Sequence, residues 1–243
     1  MRFENRAGIE HERKQTNQFL DLPKTIFSIS FRSLAKFFFA LSACLAFAAC
    51  SVLSPKQDRT RFIVLTPVAA ANSNGPELGT QKSASMAIGL GPVQFPEYLD
   101  RPELVIRTSP NAFELSEVNR WAEPLADNFR HVLANDLTNI LGTANIVQYP
   151  WYPGTRLDYI VTVQVQRFEG DTAQTAELNA KWELSTASNQ ILASRQAQFS
   201  RPTTSTAGDA IAGALSADLG ELAQQIASAI EQADQQHLAR GPR

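Results

Sequence analysis

Side-chain catalysis needs suitable groups held within reach of one another, and two carboxylate pairs are the first candidates. Glu97 with Asp100 and Glu114 with Glu117 are of the right type for a general acid and base. Nothing in the sequence places either pair in a cleft, so both read as solvated surface carboxylates. The three histidines, His11, His131 and His237, are far apart along the chain and two of them lie near its ends. A histidine metal site or a Ser-His-Asp triad needs convergence that this distribution does not supply. The sequence has no glycine-rich phosphate loop, no G-x-S-x-G elbow and no H-E-x-x-H pair. Among the tryptophans, Trp182 stands on the inward side of an alternating segment and reads as core, whereas Trp151, between Pro150 and Tyr152-Pro153, is the more open candidate for stacking. The expectation is a protein that is not an enzyme and carries neither metal nor cofactor.

The residue most suited to covalent chemistry is a cysteine. Between Phe37 and Phe47 no charged residue occurs, Ser42 is the one strongly polar side chain apart from Cys44, and Arg32 and Lys36 lie just before the run. This is the pattern of a secretory signal. The apolar stretch from Phe37 to Ala49 would be roughly 20 Å long as a helix, short of a bilayer core, so a permanent membrane-spanning helix is not expected. It ends in Phe47-Ala48-Ala49-Cys50-Ser51, which resembles a bacterial lipobox: small residues admit the signal peptidase and the cysteine sulfur receives a diacylglycerol. Phe47 departs from the usual aliphatic residue. Leu41-Ser42-Ala43-Cys44 fits the pattern better, but leaves only about five apolar residues after Lys36, below the usual h-region. Cys50 is therefore the expected lipidation site, with Cys44 as the alternative. The stretch before Arg32 contains Glu4, Glu10, Glu12 and Asp21, as a start codon assigned upstream of the true one would produce.

Charge narrows the partners. Seven of the 22 basic and four of the 24 acidic residues precede Cys50, which leaves 15 basic against 20 acidic residues, a net charge of −5. Nucleic acid is disfavoured as a partner. With no cysteine after Cys50, disulfides are excluded and stability must come from packing. The length suits one core plus a targeting segment. The expected organisation is a signal segment at 1–49, a lipidated cysteine and polar tether at 50–60, and a periplasmic domain at 61–238.

Several elements must position these residues. Arg61–Thr66 and Met86–Val93 read as strands separated by a loop rich in Ala, Asn, Ser and Gly. The segment from Gly91 to Pro102 contains three prolines and reads as a rigid surface loop. Glu103–Thr108 and Ala112–Leu115 follow as short strands about a turn at Ser109-Pro110-Asn111. Leu125, Phe129, Val132, Leu133, Leu137, Ile140 and Leu141 form one helical stripe, with Pro124 in the first turn and Gly142 after the last apolar residue. After a short strand at Asn145–Gln148, alternation over Leu157–Gln166 and Ala176–Leu184 predicts a hairpin turning near Gly170-Asp171, with a third antiparallel strand at Gln190–Ser200. A second amphipathic helix carries Ile211, Leu215, Leu219, Leu222, Ile226 and Ile230, with Ser205 or Thr206 available as a cap. The predicted fold is α+β, a mostly antiparallel or mixed sheet of about six strands with two amphipathic helices packed on one face.

The runs Gly91-Pro92-Val93, Pro96-Glu97-Tyr98-Leu99-Asp100-Arg101-Pro102, Val105-Ile106-Arg107, Arg120-Trp121-Ala122-Glu123-Pro124-Leu125 and Val165-Gln166-Arg167-Phe168-Glu169 resemble those of the ABC-type transport auxiliary lipoproteins of the paraquat-inducible protein C type. The likeness covers about residues 60–235. It implies a periplasmic lipoprotein on the outer membrane, an auxiliary subunit without ATPase activity that works with a mammalian-cell-entry (MCE) family protein in lipid transport and membrane integrity. Ser51 after the cysteine agrees with outer-membrane sorting. A homo-oligomer stacked on a multimeric partner is compatible with the sequence. Pro96, Tyr98, Asp100, Arg101, Arg120 and Trp121 are the expected partner-binding residues, because prolines lower the entropy lost on binding and Tyr, Arg and Trp recur at hot spots. The same residues would alternatively lock the loop to the sheet, with Asp100 or Glu123 pairing Arg101. Two other functions are weighed. A lipid carrier needs an apolar cavity of about 300 Å³ or more, and an envelope hydrolase needs a nucleophile, base and orienter that the sequence does not display.

Overall fold

Alternating apolar residues build the longest strands of the molecule, because a side-chain period of two gives each strand one face to bury. The structure, a computed structural model, describes residues 58–68 and 86–240 together with Lys36 and Phe39. Cys44, Cys50 and the tether to residue 57 lie outside the described residues. The chain divides into Met1–Asp58 and Arg59–Arg243, and the fold below is that of the second unit.

Eight strands form one mixed sheet: β1 (Arg61–Ile63), β2 (Ile88–Gln94), β3 (Glu103–Ser109), β4 (Ala112–Trp121), β5 (Ile146–Gln148), β6 (Tyr159–Asp171), β7 (Thr175–Thr186) and β8 (Ile191–Pro202). Two helices, α1 (Leu125–Leu141) and α2 (Gly208–Arg240), complete the α+β fold. β6, β7 and β8 are an antiparallel meander. The other edge of β6 is shared, since its first half pairs parallel with β2 and its last two residues pair parallel with β3. The sheet forks there, one branch running β6-β2-β5 and the other β6-β3-β4-β1. Eight strands, rather than about six, result because three-residue segments at β1 and β5 find parallel partners in β4 and β2.

Both helices cover one face. Val161, Val163, Val165 and Phe168 of β6 and Ala176, Leu178, Ala180, Trp182 and Leu184 of β7 are buried in the same core as the helical stripes. All six expected apolar residues of α2 are at most 1% exposed. In α1 the stripe is buried except for Ile140, at 41% exposure, because it stands at the edge of an apolar face already filled by Leu137 and Leu141. Gly142 ends α1 in the left-handed conformation, φ 65°, and its N–H donates to the Thr138 carbonyl at 3.0 Å.

Several segments differ from the sequence expectation for tertiary reasons. The hairpin between β6 and β7 turns at Thr172–Gln174, and Gly170 pairs with Ala176 inside the ladder. A Cβ on Gly170 would lie 2.7 Å from Ile211, so the glycine serves close sheet-to-helix approach rather than the turn. Gly91–Gln94 belongs to β2, and the remainder of the expected loop holds a short 3-10 turn at Glu97–Leu99 that sends Leu99 into the core. β4 runs on to Trp121, well past Leu115, with an irregularity in its pairing to β3. Ser205 does not reach the helix: its hydroxyl accepts from the N–H of Ala207, just ahead of α2. Trp182 is fully buried as expected, whereas Trp151 is half-buried and packs edge-on against Tyr149 at 5.2 Å.

The expected first strand shows the largest departure. It stops at Ile63, and beyond it the backbone N–H groups are taken up by side chains of the two helices. Leu65 N–H donates to Asn128 Oδ1 at 2.6 Å, Thr66 N–H to Ser216 Oγ at 3.1 Å and Val68 N–H to Asp136 Oδ1 at 3.0 Å. Residues 64–68 are thus a strap laid over the helix pair, and Val68 touches α2 at Gly220. Burial pushes the Asp136 carboxyl up to about 6 from an ordinary 3.8, against the pull of the Val68 N–H. Asp218, also buried, is raised to about 6 although Arg201 pulls it down. A carboxyl raised on folding contributes stability that is complete below its unfolded value, near pH 4, and is lost as pH rises through about 6. Asp136→Asn keeps an acceptor for Val68 without a buried charge. It is expected to be about 1–3 kcal/mol more stable than the native chain at pH 7.5 and to lose less stability between pH 4 and 6, where Asp218 still contributes, measured by urea denaturation at several pH values.

Candidate partner-docking surface

The fork in the sheet decides where the expected binding residues go. The chain leaves β2 through Phe95, whose ring meets Phe129 of α1 at 5.3 Å and Phe168 of β6 at 6.2 Å, both edge-on. With Phe95 anchored, Pro96 enters the 3-10 turn in an extended conformation, φ −65° and ψ 145°. Tyr98 then stacks on Phe113 of β4 at 5.4 Å, and its hydroxyl donates to the Gln166 carbonyl at 3.4 Å. Asp100 is exposed and Arg101 half-buried.

The two halves of the predicted set meet at Pro102-Glu103. Trp121 N–H donates to the Pro102 carbonyl at 2.7 Å, and Arg120 lies opposite Glu103 in the ladder with their charges 3.4 Å apart. Trp121 is only 5% exposed and points to the core, so its contact with a partner would have to come through the backbone or its neighbours. Neither Asp100 nor Glu123 pairs with Arg101 among the described residues. Glu123 instead accepts from Asn128 Nδ2 and lies 3.7 Å from His131. The Nε atoms of Arg101 and Arg120 are buried without a hydrogen-bond partner among the described residues.

Next to Arg120 in the parallel ladder stands Phe62, at 70% exposure, and Phe113, Leu115 and Val118 of β4 are also exposed. Exposed apolar side chains strung along β4 between Tyr98 at one end and Arg120 at the other have the composition of a contact surface rather than of a solvated face.

Beneath Tyr98 lies an ionic cluster to which sequence reasoning gave no role. Glu169, buried on β6, accepts through Oε1 from Arg107 Nε of β3 and from Arg167 Nε, the latter at 3.1 Å, and Arg167 also pairs with Glu177. Burial, then the Glu169 charge, raises the Tyr98 hydroxyl to about 12, so it remains a protonated donor at neutral pH. The hydrogen bond to Glu169 likewise raises Arg107 above its ordinary value, against the effect of burial. Arg107 and Glu169 both fall in runs that carry the family resemblance, and that was the signal available for them. The cluster pins β3 to the end of β6 and supports the Tyr98 ring from behind. Arg107→Met is expected to cost about 1–3 kcal/mol in chemical denaturation, because buried Glu169 then keeps Arg167 as its one cation.

Among the described residues no group of histidine, cysteine and carboxylate side chains is arranged to hold a metal ion, and no helix is long and apolar enough to cross a membrane. The Glu97–Asp100 pair flanks the 3-10 turn at the surface, and Glu114 and Glu117 are exposed on β4.

Among solved structures, the fold is similar to a Xanthomonas campestris protein of family DUF330, with 21% identity, a TM-score of 0.56 and coverage of 72% of this chain and 97% of that one. It is also similar to an uncharacterised protein at 21% identity and TM-score 0.54, covering 60% and 92% of the two chains. A PelC dodecamer from Paraburkholderia phytofirmans aligns at 14% identity and TM-score 0.38 over 70% and 94%, a likeness too slight to bear on assembly. No curated protein matches the sequence. A family model described as the ABC-type transport auxiliary lipoprotein component matches residues 55–227. With the forked sheet and the two-helix cover in place across that span, the chain belongs to the family of ABC-type transport auxiliary lipoprotein components.

Proposed function

We propose that this protein is a non-catalytic docking subunit of an MCE-type lipid transport system, held on the periplasmic face of the outer membrane by acyl chains on Cys50. The observation that carries the reading is membership of a family of auxiliary lipoprotein components of ABC-type transport. An auxiliary component acts by contact, and the surface around Tyr98, Arg101, Arg120 and Phe62 has the residue types from which contacts draw their energy. Its rigid mounting on Phe95 and the Glu169 cluster keeps the entropy lost on docking small.

The core between the helices and strands β6 and β7 is filled by buried side chains, which favours docking over carriage of a lipid inside that core. The test is isolation of the membrane-bound protein from a Gram-negative host that also expresses an MCE-family protein of the organism from which this chain comes. Arg101→Gln combined with Arg120→Gln, which removes both charges without setting a carboxylate beside Glu103, is expected to abolish stoichiometric co-purification, with a circular-dichroism melt showing that the fold is retained. Retention of the MCE protein by the double variant would move the docking surface elsewhere, and its absence from the native preparation would remove the MCE reading.

A further inference from the structure

The meander ends in a strand that has a neighbour on one side only. β8 pairs with β7 along its length and with no other strand among the described residues. Twelve residues present an edge of roughly 40 Å of backbone donors and acceptors. The usual devices that blunt such an edge are short length, lysines or an interior proline. β8 is long, has no lysine, and keeps its one proline for its last position; its charges are Arg195 and Arg201 and its register is irregular near Ile191.

Beside this edge runs a groove between the helix-facing side of β8 and α2. Two cavities of about 670 Å³ and about 190 Å³ lie along it, and Arg195 lines both. α2 lines the groove with Ala217, Gly220 and Ser228 and with the polar Glu221, Gln224 and Gln225, opposite Phe199. At one end Arg201 is neutralised by Asp218 at 2.8 Å and by Glu221. Arg195, in the middle, differs: its guanidinium carbon lies 5.8 Å from the centre of the buried Trp182 ring. It has no carboxylate within ion-pair distance among the described residues. Arg195 is therefore a locally unpaired cation over an aromatic face, while the second carboxylate on Arg201 leaves the groove as a whole without net positive charge.

We propose that the groove between β8 and α2 receives an extended segment of a partner protein, which adds to β8 as a further strand and places a carboxylate side chain on Arg195. Free edge groups are satisfied along their length only by another extended backbone, and the alternating side chains of such a strand would enter the groove at every second residue. The charge selects the occupant. A second copy pairing β8 with β8 about its midpoint would set two Arg195 side chains near one another on the same face, which like charges disfavour. The argument uses neither Arg101 nor Arg120, so this site and the docking surface proposed above stand or fall separately.

The experiment measures binding of peptide pools to the detergent-extracted full chain. The pools are nonapeptides randomised at every position except the centre, which is Glu, Gln or Lys. The Glu pool is expected to bind at least about tenfold more tightly than the Lys pool, as charge pairing at an interface allows. Arg195→Glu should reverse that order and Arg195→Lys preserve it, and both alter an exposed side chain. N-methylation of alternate peptide bonds should abolish binding, because it removes the donors of the added strand. The proposal is overturned by equal binding of the three pools, by binding that survives N-methylation, by no binding of any pool up to about 1 mM, or by self-association of the chain that excludes the peptides.

Discussion

Cys50→Ala is expected to abolish acylation, leaving either a soluble product or an uncleaved precursor held only by its apolar signal segment, whereas Cys44→Ala leaves the protein acylated and membrane-bound. The size of the effect follows from the physics of anchors. Each buried methylene contributes about 0.8 kcal/mol, a single acyl chain gives only reversible attachment, and two or more hold a protein lastingly. A thiol is needed to receive the diacylglycerol, and alanine has none, so the variant loses every chain at once. No compensating attachment is expected from the domain, since none of its described helices is long and apolar enough to cross a membrane. Fractionation with mass measurement of the mature N-terminus reads the result. Loss of acylation by Cys44→Ala with its retention by Cys50→Ala would transfer the anchor to Cys44.

Phe129→Ala is expected to be the most damaging single substitution in the core, lowering stability by about 3–5 kcal/mol. Phe129 is 0% exposed and sits where three parts of the fold meet. Its ring contacts Phe95, after β2, and Phe168, on β6, each at 5.3 Å in edge-on geometry. Truncation would leave a cavity between α1 and the fork of the sheet and remove both aromatic contacts. Against a total stability of about 5–15 kcal/mol this is a large share. A domain of this size should lose roughly 6–20 °C in melting temperature, followed by circular dichroism. Because Phe95 leads directly into Pro96 and Tyr98, the variant should also weaken docking at the Tyr98 surface in whatever fraction remains folded. A loss below about 1 kcal/mol would mean that the neighbours close the space, and that Phe129 is not what fixes the loop.

Much of the fold was legible from local pattern. The helix ending at Gly142, the helix carrying Ile211 to Ile230 and the three strands of the meander follow from periodicity, and periodicity depends only on which face of each element must be buried. Of the candidate surface, Tyr98, Arg101 and Arg120 were identifiable by residue type and by their place in runs resembling a known family. Arg107 and Glu169 lay in such runs too, but nothing local says that β3 ends beside the last residues of β6. That parallel pairing puts Arg107 against Asp171, and it is a consequence of the fork.

The sequence by itself determined the α+β class, the two apolar helix faces, the absence of cysteine after Cys50 and the family to which the chain belongs. Each rests on short-range order along the chain. Tertiary structure alone decided that residues 64–68 form a strap rather than a strand, because their N–H groups are claimed by side chains 63, 150 and 68 residues away. It also decided that Gly170 lies in a strand beside Ile211, that Trp121 faces inward, and that among the described residues β8 has a strand neighbour on one side only and Arg195 has no carboxylate partner. Such features depend on which distant groups compete for the same backbone donors and the same space, and that competition is settled only when the elements pack.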